Sequence, residues 1–209
     1  MILCDVGNSR IHCFDGKRVE HLAHDEGILR YRHEAVRYIC VSESARKKIA
    51  EAAPAWRELT AEGLFETRYE GMGIDRIAAC LGAHDGVVVD AGSAVTVDVM
   101  EKGSHLGGWI LPGLAAWRES LRRISPRLDL PLTPEAVPGG RLPLSTPEAV
   151  AFGFFASVRD LVARHAKGRR VLLTGGDAET LAAVLPGAEV DETLIFRGME
   201  KMKTKDTTC

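Results

Sequence analysis

Long apolar runs are missing from this chain. None exceeds a few residues, far short of the ~20 that a membrane-spanning helix needs. A surplus of one charge is missing too. Twenty-seven basic residues face 29 acidic ones, a net charge of -2 over 209 residues. That leaves no overall field to hold nucleic acid or an anionic membrane surface. The opening residues, MILCDVGNSR, lack the basic stretch, apolar core and small-residue cleavage site of a secretory leader. Cysteine is present but unpaired in spacing: Cys4, Cys13, Cys40, Cys80 and Cys209 are odd in number and contain no C-x-x-C. Such spacing supports neither a disulfide framework nor a structural zinc site. The seven histidines form no H-E-x-x-H or H-x-H cluster and read as scattered surface or core residues. The expectation is a cytoplasmic protein with reduced, mostly buried thiols. What remains, 45% hydrophobic and 27% charged residues, suffices for a globular core. The length fits one large domain or two small ones.

An internal repeat stands out. Ile2-Leu3-Cys4 precedes Asp5-Val6-Gly7-Asn8, and Val87-Val88-Val89 precedes Asp90-Ala91-Gly92-Ser93, 85 residues later. Each copy continues into a second β-rich run, Ile11 to Phe14 and Val95 to Met100. A charged or glycine turn follows, Asp15-Gly16-Lys17 and Glu101-Lys102-Gly103. Both copies read as strand, tight turn, strand, turn, strand. The unit places a carboxylate at the end of a buried strand. Its glycine lacks a Cβ, so the backbone can turn sharply and approach a phosphate. Two such hairpins facing each other across a cleft would hold a polyphosphate and its metal. One Asp-x-Gly alone is equally common in plain turns; it is the duplication that gives the pattern weight.

The rest divides into two α/β halves, 1–86 and 87–209. The run YICV within Glu34–Val41 reads as a strand. Ser44 to Trp56 reads as a helix capped by Ser42 or Ser44 and stopped near Pro54. Ile74 to Ala83 reads as a helix, and Pro112-Gly113 open another through about Ile124. Residues 125–147 hold six prolines and Gly139-Gly140 and read as an irregular loop. A helix over Thr146–His165 has Pro147 at its first position. Val171–Leu173 is a strand, and Gly175-Gly176-Asp177 lead into a helix to Leu185. The tail Glu200–Cys209 is polar and expected to fray. Arg118, Arg122, Arg123 and Arg127, interleaved with Leu114, Leu121 and Leu128, read as the solvated face of an amphipathic helix and not as a nucleic-acid surface.

Six motifs in order then resemble the type III pantothenate kinases. Asp5-Val6-Gly7-Asn8-Ser9-Arg10 is similar to their DxGNT(R) phosphate motif, and Gly73-Ile74-Asp75-Arg76 to GxDR. Asp90 to Asp98, DAGSAVTVD, is similar to DxGTAxTxD with serine for threonine. Gly107 to Gly113, GGWILPG, is similar to GGxIxPG. Ser145-Thr146-Pro147-Glu148-Ala149 and Leu173-Thr174-Gly175-Gly176 complete the series. The resemblance implies an α/β fold of two duplicated ribonuclease-H-like halves, that of the sugar kinase/heat-shock chaperone/actin superfamily. It also implies ATP-dependent phosphorylation of pantothenate to 4'-phosphopantothenate, the first step of coenzyme A biosynthesis, and a homodimer.

The resemblance carries roles to residues. The backbone of Asp5, Val6, Gly7, Asn8, Ser9, Arg10, Ile11 and His12 would cradle ATP phosphates. Asp5 would stand near Mg2+, directly or through water. Asp90 would hold a monovalent cation, K+ or NH4+. Ser93 would contact ATP, and Gly175 and Gly176 would let the adenosine lie against backbone. Asp75 would orient the acceptor hydroxyl and take its proton. Arg76 would pair with the pantothenate carboxylate, alongside Tyr69, Gly73, Ile74 and Thr146. Asp75 could equally be the cap of an ordinary helix start, as could Thr146. Departures are visible. The family's tyrosine usually stands farther before GxDR and with a proline, whereas Tyr69-Glu70-Gly71-Met72 here forms a short spacer without one. Trp109 is bulky for its motif. The alternatives are a non-enzymatic nucleotide-binding regulatory protein on the same fold, and an actin-like or chaperone-like ATPase. A retained Asp75-Arg76 favours the kinase.

Overall fold

The first apolar run forms β1 (Ile2–Val6), whose last four residues are all buried. Such a strand is covered on both faces, as expected where a neighbour runs parallel. The computed structural model describes residues 1–205. β1 pairs antiparallel with β2 (Ile11–Phe14), and β2 with β3 (Val19–Leu22). After α1 (His24–Tyr31), β4 (Val36–Cys40) returns parallel to β1. α2 (Glu43–Ala52) is capped by Ser42, whose hydroxyl accepts from the Ala45 N–H, and leads to β5 (Arg57–Thr60), parallel to β4. α3 (Ile74–Ala83) follows thirteen residues without helix or strand, 61–73.

The second copy repeats the plan. β6 (Gly86–Ala91), β7 (Ala94–Glu101) and β8 (Ser104–Pro112) form the meander. α4 (Leu114–Ile124) and a proline-rich segment with two 3-10 turns lead to α5 (Thr146–Ala166). β9 (Val171–Thr174) lies parallel to β6, then come α6 (Ala178–Ala182) and β10 (Glu189–Val190), parallel to β9. The two sheets therefore share one strand order: β3-β2-β1-β4-β5 in the first, β8-β7-β6-β9-β10 in the second. The sequence repeat is a repeat of topology.

The chain divides into two compact units. One comprises Met1–His84, Lys102–Leu106 and the residues from Glu192 onward. The other comprises Asp85–Glu101 and Gly107–Asp191. The boundary expected after residue 86 lies close to the first crossover, but the second half does not run to the end of the chain. α7 (Leu194–Met199) packs on α3 in the first unit, and Phe196 stacks on Phe14 with ring centroids 5.2 Å apart. Gly82 and Gly198 bring the backbones of the two helices together: a Cβ on Gly82 would overlap the Leu194 carbonyl, and one on Gly198 the Ala78 carbonyl. β11 (Lys203–Thr204) then adds antiparallel to β5, so the tail is tied down through residue 204 where fraying was expected. Residues 206–209, including Cys209, lie outside the described residues.

Each unit has its own core. Ile11, Ile28, Tyr38, Ile49 and Trp56 build the first. Val87, Val89, Val97, Phe154, Phe155 and Leu173 build the second. The helix expected to reach Leu185 ends at Ala182, because the Val184, Leu185 and Ala188 N–H groups turn back three residues to Leu181, Ala182 and Leu185. The cap of α5 is Ser145, which places Thr146 first in the helix and Pro147 second. The arginines of α4 are matched by acids: Arg118 pairs with Asp129 at 2.7 Å, and Arg122 and Arg123 with Glu119 at 2.7 and 3.0 Å. Among the described residues no helix is long and apolar enough to cross a membrane.

Candidate active site

In the first unit the hairpin β1–β2 turns through Asn8-Ser9, closed by the Gly7 N–H donating to the Arg10 carbonyl at 3.0 Å. Gly7 does not sit at positive φ, and a Cβ there would meet only the Arg10 carbonyl at 3.4 Å. Gly92 is similar, with only the Ala94 carbonyl at 3.9 Å. The sharp turn that glycine was expected to permit therefore does not need glycine here. What these two glycines provide is an uncovered backbone. Val6 and Ile11 are fully buried and lie in the ladder, which leaves Asn8, Ser9 and Arg10 as the exposed part of the expected cradle. His24, at the start of α1, donates from Nε2 to the Gly7 carbonyl at 2.9 Å and so pins the turn. Nothing in the sequence spacing marked His24, because the contact is made across the sheet edge.

Asp5 is 7% exposed and stands opposite His12 in the β1–β2 register, so both side chains leave the sheet on one face. His12 is in turn opposite His21 of β3. Their Nδ1 atoms share a hydrogen bond at 2.6 Å, and His21 Nε2 donates to Glu192 at 2.9 Å. Burial, with His21 and Arg10 nearby, pushes the His12 imidazole down to about 4. His12 is thus a neutral ring at the end of a hydrogen-bonded chain, where the sequence offered only its backbone as a phosphate contact.

The GxDR residues open α3. Gly73 is the cap residue, with no side-chain bond, so the reading of Asp75 as helix cap is corrected. Asp75 Oδ1 instead accepts from the Arg76 N–H at 2.8 Å. A Cβ on Gly73 would overlap that same oxygen, so glycine is what leaves room for the carboxylate. Arg76 is 4% exposed, and its guanidinium lies 4.6 Å from the centre of the Tyr69 ring. The short spacer therefore still delivers Tyr69 to Arg76. Packing on an aromatic face fixes the orientation of a desolvated guanidinium.

In the second unit three motifs remote in sequence meet. Asp90 is the last residue but one of β6, and a Cβ on Gly175 (φ +90) would lie 2.5 Å from Asp90 Oδ1 and from the Ala91 carbonyl. The Asp177 N–H donates to that carbonyl at 2.9 Å, stitching the Gly175-Gly176 turn onto the strand end. Burial holds the Asp177 carboxyl above its ordinary value; sequence reading treated this residue only as part of a turn. The Gly113 N–H donates to the Ser93 carbonyl at 3.1 Å, and a Cβ on Gly113 would overlap the Gly92 carbonyl. Nothing lies within 4 Å of a Cβ on Gly176, so that turn is open. Trp109 packs against the unit's core, its ring 5.1 Å from His165. Thr146 is exposed and lines a groove of about 630 Å³ with Trp117, Leu121, Leu128, Leu144 and Val150.

The family model described as Type III pantothenate kinase matches residues 35–167. A relative of that name from Wolinella succinogenes is 37% identical over 96% of this chain and 95% of its own. Another, from Helicobacter pylori, is 38% identical over 96% and 89%. The chain belongs to the type III pantothenate kinase family. A solved structure from Campylobacter jejuni, described as a Baf family transcriptional activator, is similar at 38% identity with a TM-score of 0.84, covering 96% of both chains. Component A of an Acidaminococcus fermentans (R)-2-hydroxyglutaryl-CoA dehydratase shares the fold alone, at 15% identity and a TM-score of 0.54 over 95% of this chain. The fold of this pantothenate kinase family member is accordingly a mixed α/β one, with two sheets built on the duplicated strand order described above.

Proposed function

We propose that the chain transfers the terminal phosphoryl group of ATP to the 4'-hydroxyl of pantothenate, giving 4'-phosphopantothenate for coenzyme A biosynthesis. The observation that carries this reading is the start of α3, where the Asp75 carboxylate is held beside the buried Arg76–Tyr69 pair. Arg76 and Tyr69 take the substrate carboxylate and chain, with Gly73 and Ile74 leaving the approach to Asp75 open. Asp75 orients the acceptor hydroxyl and receives its proton as the bond to phosphorus forms. In the first unit Asn8, Ser9 and Arg10 meet the phosphates, and the buried oxygen donor of Asp5 suits Mg2+. In the second, Asp90 suits K+ or NH4+, Ser93 meets ATP, and the open Gly175-Gly176 turn receives the adenosine. When bound, these cations offset the negative charge that gathers on the transferring phosphoryl group.

A homodimer is part of the same reading. α4 fully buries no residue, its half-buried Leu114 and Trp117 resting on the core, while Ile124, Leu142 and Leu144 are 74%, 74% and 84% exposed. Leu144 lines the groove at Thr146, where a partner would take it out of water. A second copy covering the groove at Thr146 would complete the substrate site there.

The test is ADP release from ATP, Mg2+ and K+, followed with and without pantothenate. ADP formed only with pantothenate, together with a phosphorylated product by mass spectrometry, is the expected result. ADP release indifferent to pantothenate would make this an ATPase. Binding of ATP with no release under either condition would make it a nucleotide-binding regulator.

A further inference from the structure

The thirteen residues 61–73 before α3 carry no helix or strand, yet they deliver Tyr69 to the face of Arg76. A segment of that length without its own ladder loses backbone freedom only where something outside it fixes it. The fixing contact is made by His105, near the start of β8. His105 is 7% exposed, and its Nδ1 shares a hydrogen bond with Thr67 Oγ1 at 2.7 Å. The same Oγ1 accepts from the Tyr69 N–H at 2.9 Å, a turn in which the threonine hydroxyl fixes the backbone two residues on. The imidazole also packs against two rings of the segment, with centroids 5.7 Å from Phe65 and 6.0 Å from Tyr69. Tyr69 then lies under the Arg76 guanidinium at 4.6 Å. One buried side chain from a distant strand thus holds both the backbone and the ring of Tyr69.

We infer that His105, acting through Thr67, is a positioning residue that sets Tyr69 against Arg76 and thereby sets the affinity for the carboxylate-bearing acceptor. The inference rests on the reading of Arg76 and Tyr69 as the acceptor's binding pair. His105 touches no substrate itself; its effect passes through Tyr69. It acts on acceptor binding and not on the phosphoryl-transfer step, so it appears in the KM for pantothenate and leaves kcat and the KM for ATP alone.

The experiment is steady-state kinetics on the full chain with His105→Ala, His105→Asn, Thr67→Val, Thr67→Ser and Tyr69→Ala. Losing one buried hydrogen bond and its ordered turn should raise the pantothenate KM about tenfold in His105→Ala and in Thr67→Val. His105→Asn keeps a hydrogen-bonding atom near the Nδ1 position, and Thr67→Ser keeps the hydroxyl; both should recover most of the loss. Combining Thr67→Val with Tyr69→Ala should raise KM no further than Tyr69→Ala alone, since both changes remove the same contact. Additive effects would overturn the inference, as would equal losses in kcat and in both KM values. Should Thr67→Val or His105→Ala not fold, Thr67→Ala and His105→Phe decide: each removes the hydrogen bond and must raise the pantothenate KM while leaving that for ATP at the wild-type value. Arg76→Ala separates the two levels. An unchanged pantothenate KM in that variant would remove the acceptor reading itself; a raised KM there beside an unchanged Thr67→Val would remove only the role of His105.

Discussion

At the scale of single residues, Asp75 and His12 make opposite demands on charge. Asp75→Asn keeps the oxygen that accepts from the Arg76 N–H, so the start of α3 should persist. It removes the group that receives the proton, and the rate should fall about 10²–10⁴-fold. ATP binding measured by calorimetry should stay near wild type. Near-normal turnover would mean that the base lies elsewhere, and early melting would mean that the carboxylate is structural. His12 instead is held neutral, its pKa moved from 6.5 to about 4. Below pH 6.5 the unfolded chain takes up a proton that the native ring refuses, so this part of the stability is complete above pH 6.5 and is lost as pH falls toward 4. The urea midpoint should therefore fall more steeply over that window in the wild type than in His12→Gln. Parallel curves would show that His12 titrates normally. The place of Asp75 at the start of α3 was legible in the sequence because GxDR is contiguous. The His12–His21–Glu192 chain and the His24 contact were not, since each depends on strand register or on residues far apart along the chain.

At the scale of elements, α3 carries the proposed acceptor residues at one end and meets α7 along its length. Gly82 and Gly198 allow that approach. In an isolated helix, alanine at Gly82 would be favourable by about 1 kcal/mol. Here the methyl would press on the Leu194 carbonyl, and overpacking of this kind costs about 1–3 kcal/mol. Gly82→Ala and Gly198→Ala should each lower the unfolding free energy measured in urea, and a gain in stability at Gly82 would show that the helices separate easily. The central segments of α3, α4 and α5 follow from the sequence, because apolar spacing, Pro112-Gly113 and the Thr146-Pro147-Glu148 start are local signals. α7 and β11 were missed. They are six and two residues long, too short for a periodicity to register, and they are stabilised by α3 and β5 and not by their own propensity.

At the scale of the molecule, the duplicated Asp-x-Gly hairpins announced two units of one topology, and the shared strand order is that announcement in three dimensions. The dimer proposed above would use the apolar groove beside α4. Leu144, 84% exposed, contributes little to the fold of its own chain. Leu144→Asp should therefore leave thermal unfolding of the monomer unit unchanged while sedimentation shifts toward monomer and pantothenate turnover falls. A variant that sediments as the wild type would place the interface elsewhere. The division of the chain was only half legible: the crossover near residue 85 coincides with a change of motif, whereas the return at Glu192 carries no linker composition.

That return reverses the order in which the protein can be finished during synthesis. Residues 1–84 leave the ribosome first, but the strand and helix that complete their sheet edge and cover α3 are translated after Asp191. At roughly 5–20 residues per second, the nascent first unit waits about 5–20 s for its last pieces, while the unit made in between already has its own residues in hand. Ribosome-bound chains arrested with residue 191 clear of the exit tunnel should resist protease over 107–191 and be cut within 1–84. Protection of both regions at that length would show that the early unit closes without its late-arriving helix.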